Sequence, residues 1–179
     1  MTLANRITIL RIVLIPIFVV LYLQKSKFPV LENWTLAVFS FAILTDWLDG
    51  IAARTKKQKT QLGSFLDPLA DKLLLTATFI LLVYSGKIDL WVFVTIFSRD
   101  LLIVLGWVII YILTSSSEIA PRMLGKISTG LQMVSSIMLL FPLPEQFASW
   151  TVRAMVSFTV ISAIDYIWVG SKRLDLIPK

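Results

Sequence analysis

Between positions 46 and 71 the chain reads DWLDGIAARTKKQKTQLGSFLDPLAD, which places four aspartates, Asp46, Asp49, Asp67 and Asp71, within one short stretch. Asp46 and Asp49 are three apart, and Asp67 and Asp71 are four apart, so on helices each pair shares a face. The connection between the pairs is short, which makes the two helices antiparallel neighbours and lets the four carboxylates converge at one depth. Uncompensated charges beside a membrane each carry a desolvation cost of several kcal/mol, so something positive belongs among them. The chain contains no cysteine and no histidine, which removes thiolate chemistry and the commonest base and metal ligand. An all-oxygen donor set selects hard divalent cations such as Mg²⁺ or Mn²⁺. Mg²⁺ usually takes one or two carboxylates together with substrate phosphate oxygens. Four aspartates therefore suit two ions, or one ion with a carboxylate left over as a base.

The elements that must position these groups are apolar. The chain has 179 residues, 57% of them hydrophobic, with a mean hydropathy of +0.83, far above a soluble domain. The apolar residues fall in blocks of roughly the 20 residues needed to cross a bilayer. Six such segments are predicted, at 7–23, 34–51, 69–84, 90–113, 127–141 and 147–169, separated by turn and helix-stop sequences. The first lacks a small-residue cleavage site and is read as a span, not as a cleavable leader. No internal repeat divides the chain. The expectation is an all-α, polytopic membrane protein with six transmembrane helices and a single catalytic domain, 1–179.

Alternating sides gathers the N-terminus, 54–59, 122–126 and 172–179 on one face, against only Lys25, Lys27 and Lys87 on the other. By the positive-inside rule both termini and the aspartates face the cytoplasm. The formal charge of +6 fits anionic lipid or a phosphorylated substrate and not nucleic acid. Some of these features have plainer readings. Asp67 before Pro68 has the form of a helix start, and Asp49 could pair with Arg54. Gly50 and Gly63 let a ligand approach closely or let helices pack closely. Four intramembrane carboxylates in this arrangement favour function.

Asp46-x-x-Asp49-Gly50-x-x-Ala53-Arg54, eight further residues, then Gly63-x-x-x-Asp67-x-x-x-Asp71 resembles the full motif of the CDP-alcohol phosphatidyltransferases. The resemblance implies the six-helix membrane fold, a homodimer, and divalent metal used to displace CMP from a CDP-linked substrate. It implies that Asp46, Asp49, Asp67 and Asp71 hold two metal ions, with Asp71 also the base for the attacking hydroxyl. It implies further that Gly50, Ala53 and Gly63 line the cytidine nucleotide pocket, with Arg54 at its phosphates.

Three other stretches bear on the acceptor. Asn5, Thr8 and Arg11 resemble the N-x-x-T-x-x-R segment of bacterial members, notably phosphatidylglycerophosphate synthases. Arg99 lies with Asp100 inside the fourth apolar run, where those synthases usually carry Arg-Glu. Gly125-Lys126-x-x-Thr129-x-x-Gln132 resembles their G-K-x-x-T-x-x-Q pattern at the start of the fifth. Asn5, Thr8, Arg99, Arg122, Lys126 and Thr129 are therefore expected to bind a phosphorylated acceptor. The expected substrates are CDP-diacylglycerol and sn-glycerol 3-phosphate, with membrane lipids around the spans. The alternatives are another acceptor (inositol phosphate, serine or phosphatidylglycerol) and, in a different class, a divalent-cation transporter.

Overall fold

The computed structural model describes residues 3–56, 61–114, 123–141 and 144–174. Within these it describes the side chains of 8–45, 69–106, 108, 123–141, 144 and 146–171. Among the described residues there are six helices and no strand. They are α1 (Leu3–Gln24), α2 (Val30–Lys56), α3 (Gln61–Tyr84), α4 (Leu90–Thr114), α5 (Met123–Leu140) and α6 (Glu145–Leu174). Each apolar run of the sequence falls on one of them, the fifth passing the end of α5 by one residue, Phe141. The largest departure is α3, which begins at Gln61 and not near 69. Asp67 is thus inside a helix, and its reading as a helix start is corrected. A proline inside a helix removes one hydrogen bond and so looks like a boundary in sequence. Here the helix continues through Pro68, as α1 continues through Pro16, a tolerance familiar in bilayer helices.

Residues Met1–Ser85 and Gly86–Lys179 form two compact units. In the first, α1 packs against both α2 and α3. Phe18 of α1 is fully buried, its ring centroid 5.1 Å from Phe39 of α2 and 6.1 Å from Tyr22. Ala70, Leu74, Phe79 and Leu82 close the same core from α3. At the far end the Tyr22 and Ser85 hydroxyls share a 2.7 Å hydrogen bond that ties α1 to the end of α3. Just beyond α1, the Lys25 ammonium stands 3.9 Å from the Tyr22 ring centroid. Partial burial there pulls its pKa below the ordinary lysine value, and the charge of Glu32 opposes that shift.

In the second unit α6 packs against α4 and α5. The α5–α6 seam is polar. Ser128, Gln132, Ser135 and Ser136 of α5 and Thr159 and Ser162 of α6 are all buried. Ser128 Oγ and Thr159 Oγ1 lie 3.2 Å apart, and Gln132 Nε2 donates to the same Thr159 oxygen at 3.3 Å. Between α4 and α6 the chains approach at Gly106, where a Cβ would stand 2.9 Å from Tyr166 Cε1. The Tyr166 hydroxyl donates to the Ile103 carbonyl at 3.2 Å. Gly86, at φ +70°, turns the chain in a conformation that only glycine adopts without strain. The next residue, Lys87, donates from Nζ to the Leu139 carbonyl at 2.6 Å, placing a cation at the C-terminal end of α5.

Both units are apolar outside and partly polar inside. On α1, Thr8 and Arg11 are buried while Val13, Ile17 and Val20 are 45–56% exposed. On α6, Thr159 and Ser162 are buried while Ile164, Ile167 and Trp168 are 55–62% exposed. Water would enforce the reverse; hydrocarbon permits this arrangement, because buried polar groups find partners within the bundle. Among the described residues, Met123–Leu140 and Gln146–Ser171 are long and apolar enough to cross a membrane, and Thr8–Gln24 and Val30–Thr45 are shorter apolar stretches.

Candidate active site

Asp71 lies on α3 one turn after Asp67, directly after Ala70, which is completely buried against its neighbours. The packing of α1 on α3 brings Arg11 to it. Arg11 Nη1 donates to Asp71 Oδ1 at 2.6 Å across sixty residues of chain. Arg11 is 1% exposed and Asp71 24%, so the guanidinium is inside the unit and the carboxylate at its rim. A hydrogen bond between two ionised groups belongs to the strong, short class. With Arg11 withdrawn from water, salt screens the attraction little, and each charge offsets part of the other's desolvation. Thr8, one helical turn before Arg11, is fully buried on the same side of α1.

Arg99 forms a second centre, in the Gly86–Lys179 unit. It is 4% exposed, and its guanidinium joins three helices. Nη1 donates to Asp100 Oδ1 at 2.8 Å, and Nη2 donates to Ser162 Oγ of α6 at 2.8 Å and to the Gly125 carbonyl of α5 at 3.2 Å. Arg99 Nε and Gln132 Oε1 are buried without a hydrogen-bond partner among the described residues. Thr129 Oγ1 donates back to the Gly125 carbonyl at 3.1 Å. Lys126, in the first turn of α5, is exposed.

Of the residues expected from sequence, Asp46, Asp49, Gly50, Ala53 and Arg54 fall on α2, and Gly63 and Asp67 on α3. The placement of their side chains, like that of Asn5, lies outside the described residues, and Arg122 lies outside them altogether. Asp71 is therefore the member of the carboxylate set whose contacts are described. The expected acceptor residues divide between the units: Thr8 is in the first, and Arg99, Lys126 and Thr129 are in the second. Sequence reasoning did not find the bond from Arg11 to Asp71 or the Ser128–Thr159–Gln132 seam. A signal for the first was available. Arg11 is a charge inside an apolar run, three residues from Thr8, and such a residue marks a partner within the bundle.

A family model described as CDP-alcohol phosphatidyltransferase matches residues 1–164. The chain belongs to this family. The match takes in the aspartate motif, Arg11, Arg99, Lys126 and Thr129. Among relatives of this CDP-alcohol phosphatidyltransferase, one from Bacillus subtilis is named CDP-diacylglycerol–glycerol-3-phosphate 3-phosphatidyltransferase. It is 37% identical over 181 residues, 92% of this chain and 92% of that protein. A protein of the same name from Haemophilus influenzae is 34% identical over 166 residues, 90% of this chain and 85% of its own. A probable phosphatidylglycerophosphate synthase from Mycobacterium tuberculosis is 32% identical over 170 residues, 92% of this chain and 79% of that protein. The donor chemistry of this family member fits a hard divalent cation. The chain offers carboxylates with no thiolate or imidazole competitor, and Asp71, at 24% exposure, stands where a ligand can reach it.

Proposed function

We propose that this CDP-alcohol phosphatidyltransferase moves the phosphatidyl group of CDP-diacylglycerol to sn-glycerol 3-phosphate, giving phosphatidylglycerophosphate and CMP. The observation that carries this reading is the similarity to the Bacillus subtilis enzyme of that name, 37% identical along 92% of both chains. A free hydroxyl of the acceptor attacks the phosphorus that bears the diacylglycerol. The new P–O bond forms as the P–O bond to CMP breaks, and CMP departs with the electron pair. The hydroxyl proton passes to the Asp71 carboxylate. Asp46, Asp49, Asp67 and Asp71 would hold divalent cations, Mg²⁺ or Mn²⁺ and two in number, which when bound offset charge on the diphosphate and the departing CMP. Gly50, Ala53 and Gly63 line the nucleotide pocket in this reading, and Arg54 supports the phosphates.

Asn5, Thr8, Arg99, Arg122, Lys126 and Thr129 bind the acceptor phosphate. The exposure of Lys126 in the first turn of α5 supports its part, because cationic donors and a helix N-terminus both favour an anion. The outward apolar faces of α1 and α6 support a place in the membrane. The full reading is a six-span, homodimeric protein of the cytoplasmic membrane, with one catalytic domain, 1–179, and with both termini and the active site on the cytoplasmic side.

The test is an assay of the purified protein with CDP-diacylglycerol and a panel of acceptors, with and without EDTA. CMP release that depends on sn-glycerol 3-phosphate and stops in EDTA is the expected result. Release with inositol phosphate, serine or phosphatidylglycerol instead would reassign the acceptor. Cation flux into vesicles without CMP release would replace the transferase by a transporter.

A further inference from the structure

We propose that Arg11 is a positioning residue for Asp71, so that α1 is part of the reaction centre. The inference rests on the reading of Asp71 as a cation-binding base. Arg11 is 1% exposed and its Nη1 already donates to Asp71 Oδ1 at 2.6 Å. It is therefore placed to act through the carboxylate and not on a substrate directly.

The physical need is specific. The terminal torsion of an aspartate is broad and roughly two-fold, so an untethered carboxylate rotates and exchanges its two oxygens. A base that also shares a cation must present a defined oxygen in a defined direction, within roughly 0.5 Å of the productive geometry. The bond to Nη1 fixes Oδ1, and with it the plane of the whole group. Its fixed partner is well anchored in turn. The guanidinium is rigid and planar, its stem is buried in α1, and Thr8 is fully buried one turn away. Ala70, with no exposure, holds the α3 backbone beside the same contact. The guanidinium also keeps one positive charge beside Asp71 whether or not a cation is bound.

The competing role is a simple staple between α1 and α3, and two variants of the full-length protein in detergent separate the two. Arg11→Lys keeps the charge on a side chain of shorter reach without the planar fork, and Arg11→Met keeps an apolar side chain alone. Three quantities are read: thermal unfolding in EDTA, Mn²⁺ affinity of the substrate-free protein by electron paramagnetic resonance, and kcat and KM for both substrates at saturating Mn²⁺. For Arg11→Lys we expect unfolding within a few degrees of the parent, Mn²⁺ affinity weakened about fivefold or more, and kcat lowered about tenfold or more with both KM values nearly unchanged. Arg11→Met should lose more kcat, again per folded molecule.

Parental Mn²⁺ affinity and kcat in Arg11→Lys would overturn the proposal. So would losses in both variants that track only the amount of folded protein. Asp71→Asn is measured in parallel. If it turns over normally, or if the parent binds no Mn²⁺, the reading of Asp71 falls and this inference falls with it. If Asp71→Asn is inactive while both Arg11 variants behave as the parent, only the positioning role is lost.

Discussion

Gly125 of α5 and Arg99 of α4 meet so closely that a methyl group on the glycine would crowd the guanidinium. A Cβ there would stand 3.1 Å from Nη2, the nitrogen that donates to the Gly125 carbonyl at 3.2 Å and to Ser162 at 2.8 Å. One buried cation thus holds three helices near the start of α5.

Gly125→Ala should leave stability within about 1 kcal/mol of the parent, because the gain in helix propensity offsets the crowding. Arg99 must yield by a few tenths of an ångström. The KM for sn-glycerol 3-phosphate is therefore expected to rise several-fold, with that for CDP-diacylglycerol unchanged. Steady-state kinetics beside a thermal melt read both, and an unmoved acceptor KM would separate Arg99 from the acceptor.

Lys126→Ala removes an exposed ammonium from the first turn of α5. A hydrogen bond to a charged group is worth about 1.5–3 kcal/mol, so acceptor KM should rise about tenfold or more. Lipid KM should change far less. Equal changes in both would take Lys126 out of the acceptor pocket.

Asp71→Asn keeps the shape of the side chain and an oxygen that can still accept from Arg11. CMP release should nevertheless fall to background, since the amide cannot take the proton of the attacking hydroxyl. Size-exclusion chromatography of the variant should show normally folded protein. Ordinary turnover in that sample would refute the base assignment.

Gly106→Val acts elsewhere. Its Cβ would stand 2.9 Å from Tyr166 Cε1, so the ring must move and its bond to the Ile103 carbonyl is put at risk. Overpacking of this kind costs about 1–3 kcal/mol. A lower melting temperature is expected, with turnover per folded molecule nearly unchanged at low temperature.

The helices were largely legible in the sequence because each carries a run of consecutive apolar residues bounded by turn signals, and such a run is a local signal. The start of α3 was not, because Pro68 carries the local signature of a boundary while the fold carries the helix through it. The aspartate pattern was legible because i, i+3 and i, i+4 spacing fixes a shared face. The partner of Asp71 was not, because nothing in spacing rules connects residues 11 and 71. That contact exists through the packing of α1 on α3. The inward faces were hidden for a related reason. Thr8, Ser128, Gln132 and Ser162 can be picked out as polar residues, but only the assembled helices reveal that these are the buried ones.

The joint between α5 and α6 has a consequence for the surroundings of the protein. It is made by hydroxyls and a carboxamide: Ser128, Thr159 and Gln132. Acyl chains carry no donor or acceptor and cannot compete for such a joint, whereas they compete freely for greasy contacts. A cell that remodels its fatty acids with temperature can thus alter the thickness and fluidity around this protein while leaving that junction chemically uncontested.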